Sequence, residues 1–214
     1  MTVYNDPISE YIVGLFALED EALQNARQDS IREGLPMISV KPEEGRFLQF
    51  LVRSGNVRRA VEVGTLGGYS GIWIARGLAP GGRLVTLEID QHHAEVARRH
   101  FRAAGVEDRV EVREGDAHHS LQDLASEGPF DFIFIDADKT GNDAYFDWAL
   151  ENIRPGGMIA AHNAFRKGSV AGQGEPDEYT QVMQAFNRRV AATPQLVSTI
   201  YPAGDGMILA VKPL

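Results

Sequence analysis

From residue 58 onward the sequence alternates short apolar runs with amphipathic stretches, and this alternation constrains the fold more than any other feature. Arg58–Val63, Arg83–Glu88, Val110–Arg113, Phe130–Ile135 and Gly157–Ala161 read as strands. Helices are expected over Ser70–Gly77, from Ala94 through Phe101, over Ala144–Leu150 and over Glu178–Val190. Strands separated by helices form βαβ units, whose right-handed crossovers build a parallel sheet with helices on both faces. Phe130–Ile135 is almost wholly apolar, as a strand covered on both faces must be. Leu196–Tyr201 and Met207–Lys212 read as closing strands. Only Pro202–Gly206 separates them, which suits a hairpin and is too short for a crossover helix. The expected fold is therefore α/β, mostly parallel, with an antiparallel last strand.

Residues 1–55 read as an N-terminal helical extension to a domain spanning residues 56–214. Ile8, Tyr11, Ile12, Leu15, Phe16 and Leu18 recur at helical spacing with acids on the other face. Gly34, Leu35 and Pro36 end this region, and a second helix opens at Pro42 and runs through Val52. No run reaches the roughly 18 apolar residues of a membrane span. Met1–Glu10 carries acids and a proline in place of the basic start and apolar core of a targeting signal. A soluble cytoplasmic protein without membrane partners is expected. With 21 basic against 30 acidic residues and a net charge of -9, the chain lacks the basic surface that nucleic acid requires. It has no cysteine, which excludes thiolate metal sites, iron–sulfur clusters and a cysteine nucleophile. Any metal must be held by oxygen or imidazole.

Sheets of this kind bind ligands outside the carboxyl ends of their strands. The first strand ends in Glu62-Val63-Gly64-Thr65-Leu66-Gly67-Gly68-Tyr69-Ser70. Its glycines permit a tight turn and close backbone approach, and the following helix offers unpaired N–H groups. The dinucleotide fingerprint G-x-G-x-x-G is absent, which argues against a nicotinamide-dependent oxidoreductase. Glu62 would repel a pyrophosphate and suits a cationic or hydroxylated ligand. Glu88, about 20 residues beyond the loop, is placed to accept hydrogen bonds from ribose hydroxyls. Asp90 is placed to cap the next helix. Gly115-Asp116-Ala117 forms a small-residue turn against which a purine could lie. Together these ends describe a pocket for a nucleoside without phosphates.

Val61-Glu62-Val63-Gly64, Gly67-Gly68-Tyr69-Ser70, Leu87-Glu88 and Gly115-Asp116-Ala117 resemble the S-adenosylmethionine site of class I methyltransferases. Phe132-Ile133-Phe134-Ile135-Asp136-Ala137-Asp138-Lys139 resembles the signature of the cation-dependent O-methyltransferases, the family of caffeoyl-CoA and catechol O-methyltransferases. Val40–Gly45, Arg154-Pro155-Gly156-Gly157, Phe186-Asn187 and Gly204-Asp205-Gly206-Met207 extend the match over roughly residues 36–214. The resemblance implies a Rossmann-like methyltransferase sheet and S-adenosylmethionine as cosubstrate. It implies cosubstrate contacts at Val40, Glu62, Gly64, Thr65, Ser70, Glu88, Ala117, Asp136 and Asp138, a metal ligand at Asp136 and a catalytic lysine at Lys139. It further implies a small, catechol-like aromatic hydroxyl substrate and a homodimer. The loop Phe165–Asp177, with Arg166 and Lys167, should border the substrate.

One departure stands out. The family places a metal-binding Asp-Asn pair after the fifth strand; here the pair is His162-Asn163. An all-oxygen set suits magnesium or calcium, whereas Asp136, His162 and Asn163 favour Zn, Fe, Co, Ni or Mn over Mg. Three readings stay open: metal-assisted transfer through this altered set, metal-independent transfer with His162 or Lys139 as base, and a non-catalytic S-adenosylmethionine-binding protein. His162 is suited to proton transfer near neutral pH. His92, His93 and His100 are expected to be exposed on the helix after Asp90.

Overall fold

The structure is a computed structural model that describes residues 4–214, so part of the Met1–Glu10 segment lies outside the described residues. Three helices precede the sheet: α1 (Asp6–Phe16), α2 (Glu21–Arg32) and α3 (Pro42–Ser54). Apolar spacing did not separate the first two. The break is made by caps: Asn5 accepts the Ile8 N–H at 3.2 Å and Asp20 accepts the Leu23 N–H at 3.1 Å. The apolar stripe of α1 does not turn inward. Tyr11, Leu15 and Phe16 are exposed, and the helix instead buries Ser9, whose hydroxyl donates to Glu43 on α3.

The remainder alternates as expected: β1 (Arg59–Val63), α4 (Tyr69–Gly77), β2 (Arg83–Glu88), α5 (Gln91–Ala103), β3 (Val110–Glu114), α6 (Ala117–Leu124), β4 (Phe130–Ile135), α7 (Asn142–Asn152), β5 (Ile153–His162), α8 (Thr180–Ala191), β6 (Val197–Tyr201) and β7 (Met207–Val211). Helix α6 was not foreseen, because only Leu121 and Leu124 of its eight residues are buried. Strand β5 begins earlier than expected. Arg154-Pro155-Gly156-Gly157 lies within it, and a register shift opposite Phe130 and Phe132 absorbs the irregularity.

The strands order as β3-β2-β1-β4-β5-β7-β6, parallel except for β7, which is antiparallel to both β5 and β6. Strand β4 shows why both faces must be covered. Phe132 and Phe134 pack with Leu48, Trp73 and Phe101, while Ile133 and Ile135 pack with Leu121, Phe146 and Phe186. The strand order reverses between β1 and β4, which run parallel, and there the two strand ends meet closely. Gly64 adopts φ +98°, and a Cβ on it would clash with the Asp136 carbonyl oxygen. This contact sets the glycine loop against the end of β4. Among the described residues no helix is long and apolar enough to cross a membrane.

Candidate active site

An open cleft of about 1150 Å³ lies at the carboxyl ends of the parallel strands. It exceeds the roughly 300–1,000 Å³ usual for one small ligand, so it has room for two. Gly64, Thr65 and Ser70 line its first wall. Glu62 does not: it is fully buried behind that wall, taking hydrogen bonds from the hydroxyls of Ser70 (2.6 Å) and Thr86 (2.7 Å). Burial pushes the Glu62 carboxyl up to about 7, against the pull of those hydroxyls. Glu62 thus braces the loop from beneath. Glu88 lines the cleft and also braces it, accepting the backbone N–H groups of Thr65 (3.2 Å) and Leu66 (2.7 Å). Asp90 caps α5 through the His93 N–H at 3.0 Å, as expected. His100 is a correction. It is buried, with Nδ1 2.7 Å from the Gly67 carbonyl, so it supports the glycine loop from behind.

On the second wall, Ala117 opens α6 and His118 stacks on Tyr145, with centroids 5.0 Å apart. Tyr145 in turn donates to Asp138 at 2.7 Å. Asp138 also accepts the Gly141 N–H at 2.7 Å, so its carboxylate organises the turn after β4. Burial works to raise the Asp138 carboxyl, and the Tyr145 and Thr140 hydrogen bonds carry it below its ordinary value. Val40, from the segment before α3, lines the opposite side. Met37 and Ile38 stand at the rim, 80% and 69% exposed. Arg166 and Lys167 also reach the cleft, but Arg166 is paired with Asp177 and lies over the Tyr179 ring.

The floor is a chain of charges. Lys139 Nζ donates to Asp136 Oδ1 at 3.0 Å. His162 Nδ1 lies 3.2 Å from Asp136 Oδ2, and His162 Nε2 lies 2.9 Å from Glu44 Oε1. Glu44 comes from the first turn of α3, and its other oxygen accepts the Lys41 N–H at 2.8 Å. Burial alone would push the His162 imidazole down; the charge of Asp136 and then Glu44 outweigh it and raise it to about 10. Burial likewise opposes ionisation of Asp136, and the charges of His162 and Lys139 outweigh it, holding its carboxyl well below the usual carboxylate range. Asn163, at φ 62°, gives its amide N–H to Asp205 at 3.0 Å.

Among the described residues no group of three or more histidine and carboxylate side chains is arranged to hold a metal ion. Both oxygens of Asp136 are committed to cationic partners, and each nitrogen of His162 faces a carboxylate. Metal ligation needs a deprotonated donor with a free lone pair. Of the three expected ligands, the Asn163 amide oxygen and His162 Nδ1, which is buried without a hydrogen-bond partner, are left uncommitted. Glu44 is the residue that sequence reasoning missed. Its neighbours Val40–Gly45 were part of the family resemblance, but an acid in a first helical turn reads equally as a complement to the helix dipole.

A family model described as O-methyltransferase matches residues 14–213. The chain belongs to the O-methyltransferase family. A catechol O-methyltransferase of Niastella koreensis is 41% identical over 213 residues, covering 96% of each chain. One of Mycobacterium tuberculosis is 41% identical, covering 90% of this chain and 89% of that one. A crystal structure of an O-methyltransferase from Bacillus cereus, solved in complex with SAH, superposes with a TM-score of 0.89 at 43% identity, covering 96% of this chain and 97% of that one. Family membership agrees with the Rossmann-like fold and with an S-adenosylmethionine-dependent O-methyltransferase. The structure brings the expected family residues to one cleft, apart from Glu62 behind its wall.

Proposed function

We propose that the chain transfers the methyl group of S-adenosylmethionine to a hydroxyl of a small, catechol-like aromatic. The nucleoside lies along β1 to β3, with its ribose at Glu88 and its base between Ala117 and His118. The acceptor ring sits under Met37 and Ile38, with its hydroxyls toward Lys139 and Asn163. The observation that carries this reading is Lys139, held on Asp136 at the end of β4 beside the glycine loop. Its ammonium gives one hydrogen bond to Asp136 and retains further N–H donors for the acceptor oxygen.

A phenol near pKa 10 is mostly neutral at pH 7, so the site must favour its anion. Lys139 supplies a preorganised positive charge where the oxyanion forms, and the hydroxyl proton leaves to water. The oxyanion then attacks the methyl carbon in line. The O–CH₃ bond forms as the S–CH₃ bond breaks, and the sulfonium departs as a neutral thioether. Positioning oxygen, methyl and sulfur in line contributes much of the remaining rate. Asn163 accepts a hydrogen bond from the neighbouring hydroxyl through its free amide oxygen. His162 is held through Nε2 by Glu44 beside Asp136, so its contribution is charge and position.

The test is mass-spectrometric detection of monomethylated product from S-adenosylmethionine and a panel of catechols and lone phenols. Catechols are expected to be turned over well ahead of phenols. Equal turnover of both would refute the role given to Asn163 and the second hydroxyl. No product from any hydroxylated aromatic would refute the whole reading.

A further inference from the structure

We propose that Lys167, presented by Arg166, forms an anion subsite at the acceptor end of the cleft, and that the preferred acceptor is a catechol carrying a carboxylate on its ring. The proposal rests on the reading above in taking the cleft as the site of methyl transfer, and it names the acceptor more closely.

Backbone strain points to this place. Five non-glycine residues among those described adopt positive φ, and four of them, Leu66, Asn163, Arg166 and Lys167, line the cleft. Asparagine visits left-handed backbone because its short side chain bonds locally; arginine and lysine lack that support. Arg166 (φ 47°) and Lys167 (φ 55°) nevertheless adopt it in succession. Such strain persists only where the surroundings impose it, and it collects at ligand sites.

Two anchors impose it here. Asp205, in the β6–β7 connection, accepts the Lys167 N–H at 2.5 Å through Oδ1 and the Asn163 amide at 3.0 Å through Oδ2. The Phe165 N–H also reaches the Asp205 carbonyl, at 2.9 Å. Arg166 is fixed from the other side, paired with Asp177 and lying 5.5 Å from the Tyr179 ring centroid. The turn is thereby locked with both basic residues on the cleft wall. One carboxylate ties Lys167 to Asn163, the residue that meets the second hydroxyl, so a single small aromatic spans both.

Charge decides what the subsite takes. The acids of this wall are engaged: Asp205 with two N–H groups, Asp177 with Arg166, and Asp136 with Lys139. Lys167 is different. Its side chain is exposed, and no carboxylate among the described residues lies within 4.0 Å of its ammonium. An acceptor carboxylate gains a charge-assisted hydrogen bond there from a lysine that gives up no ion pair to make it. An ammonium group on the acceptor would face a like charge.

The experiment compares 3,4-dihydroxybenzoate, its methyl ester and 3,4-dihydroxybenzylamine. Calorimetry measures their binding to the protein saturated with S-adenosylhomocysteine, and kcat/KM is then measured with S-adenosylmethionine. The acid is expected to exceed the ester by about 10-fold or more in both, with the amine weakest. Lys167→Gln should bring the acid-to-ester ratio to within about twofold of one, and Lys167→Arg should keep it within about threefold of the parent value. Equal affinity for acid and ester, preference for the amine, binding of none of the three, or a ratio that survives Lys167→Gln each overturns the proposal. So does a Lys167→Gln variant that loses S-adenosylhomocysteine affinity instead, since the lysine would then serve the cosubstrate's own carboxylate. Methylation without acid preference sinks the subsite and leaves the methyl-transfer reading standing. Selective binding of the acid with no methylated product sinks that reading and leaves the subsite standing.

Discussion

Removal of the His162–Glu44 pair should change how stability depends on pH. His162 titrates at about 6.5 when unfolded and at about 10 in the folded chain. Between those values the native state holds a proton that the unfolded state lacks, so stability falls as pH rises, by at most about 1.4 kcal/mol per pH unit. The contribution is present in full below pH 6.5 and is lost as pH rises through 10. From pH 7 to 9 the expected loss is about 2–3 kcal/mol. The ring is buried, so solvent screening does not erode this figure. The right comparison is the double variant His162→Gln, Glu44→Gln, because His162→Gln alone would leave the Glu44 carboxylate buried without its partner. Urea unfolding of both proteins, monitored by tryptophan fluorescence at pH 7, 8 and 9, gives the difference in stability at each pH. Groups common to both proteins cancel in that difference. Parallel curves for the two proteins would refute the charged imidazole held between Glu44 and Asp136.

Three other perturbations probe separate parts of the site. Lys139→Ala should lower kcat by about 10²–10³-fold with S-adenosylhomocysteine affinity intact by calorimetry, since Lys139 supplies the charge that stabilises the oxyanion; unchanged turnover would remove Lys139 from the reaction. Glu88→Ala leaves the Thr65 and Leu66 N–H groups without their acceptor, at about 1–3 kcal/mol, and should weaken S-adenosylhomocysteine binding by at least about 10-fold; equal affinity would show that the loop stands without its brace. Gly64→Ala forces a side chain into left-handed backbone against the Asp136 carbonyl and should lower Tm by at least about 4 °C; an unchanged Tm would mean the β1–β4 contact is looser than it is drawn.

Much of the fold was legible because its elements are written locally. The apolar run of β4 announced a strand covered on both faces, and Pro202–Gly206 announced the closing hairpin. Caps were legible where the acid preceded its helix, as at Asp90. The reading failed where apolar spacing carried no information. Asp20 separates α1 from α2 inside one periodic region, and α6 buries too few residues to show a period. His100 looked like one more polar residue on an amphipathic helix until the glycine loop was folded against it. Among the site residues, Gly64, Thr65, Ser70, Glu88, Ala117, Asp136, Asp138 and Lys139 follow strands in order, so their convergence was implied by the sheet itself. Glu62 was placed in the right loop but on the wrong side of its wall.

The sequence by itself determined the α/β sheet and the family, because helical and strand periods, glycine turns and strand-end acids are properties of neighbouring residues. It also marked His162 as anomalous. Only the tertiary structure decided what that histidine does. Its partner Glu44 lies 118 residues away, on a helix outside the alternating pattern. No local period encodes that pairing. It exists because packing α3 over the end of β5 buries a carboxylate and an imidazole together, and two buried charges must find each other or be stranded.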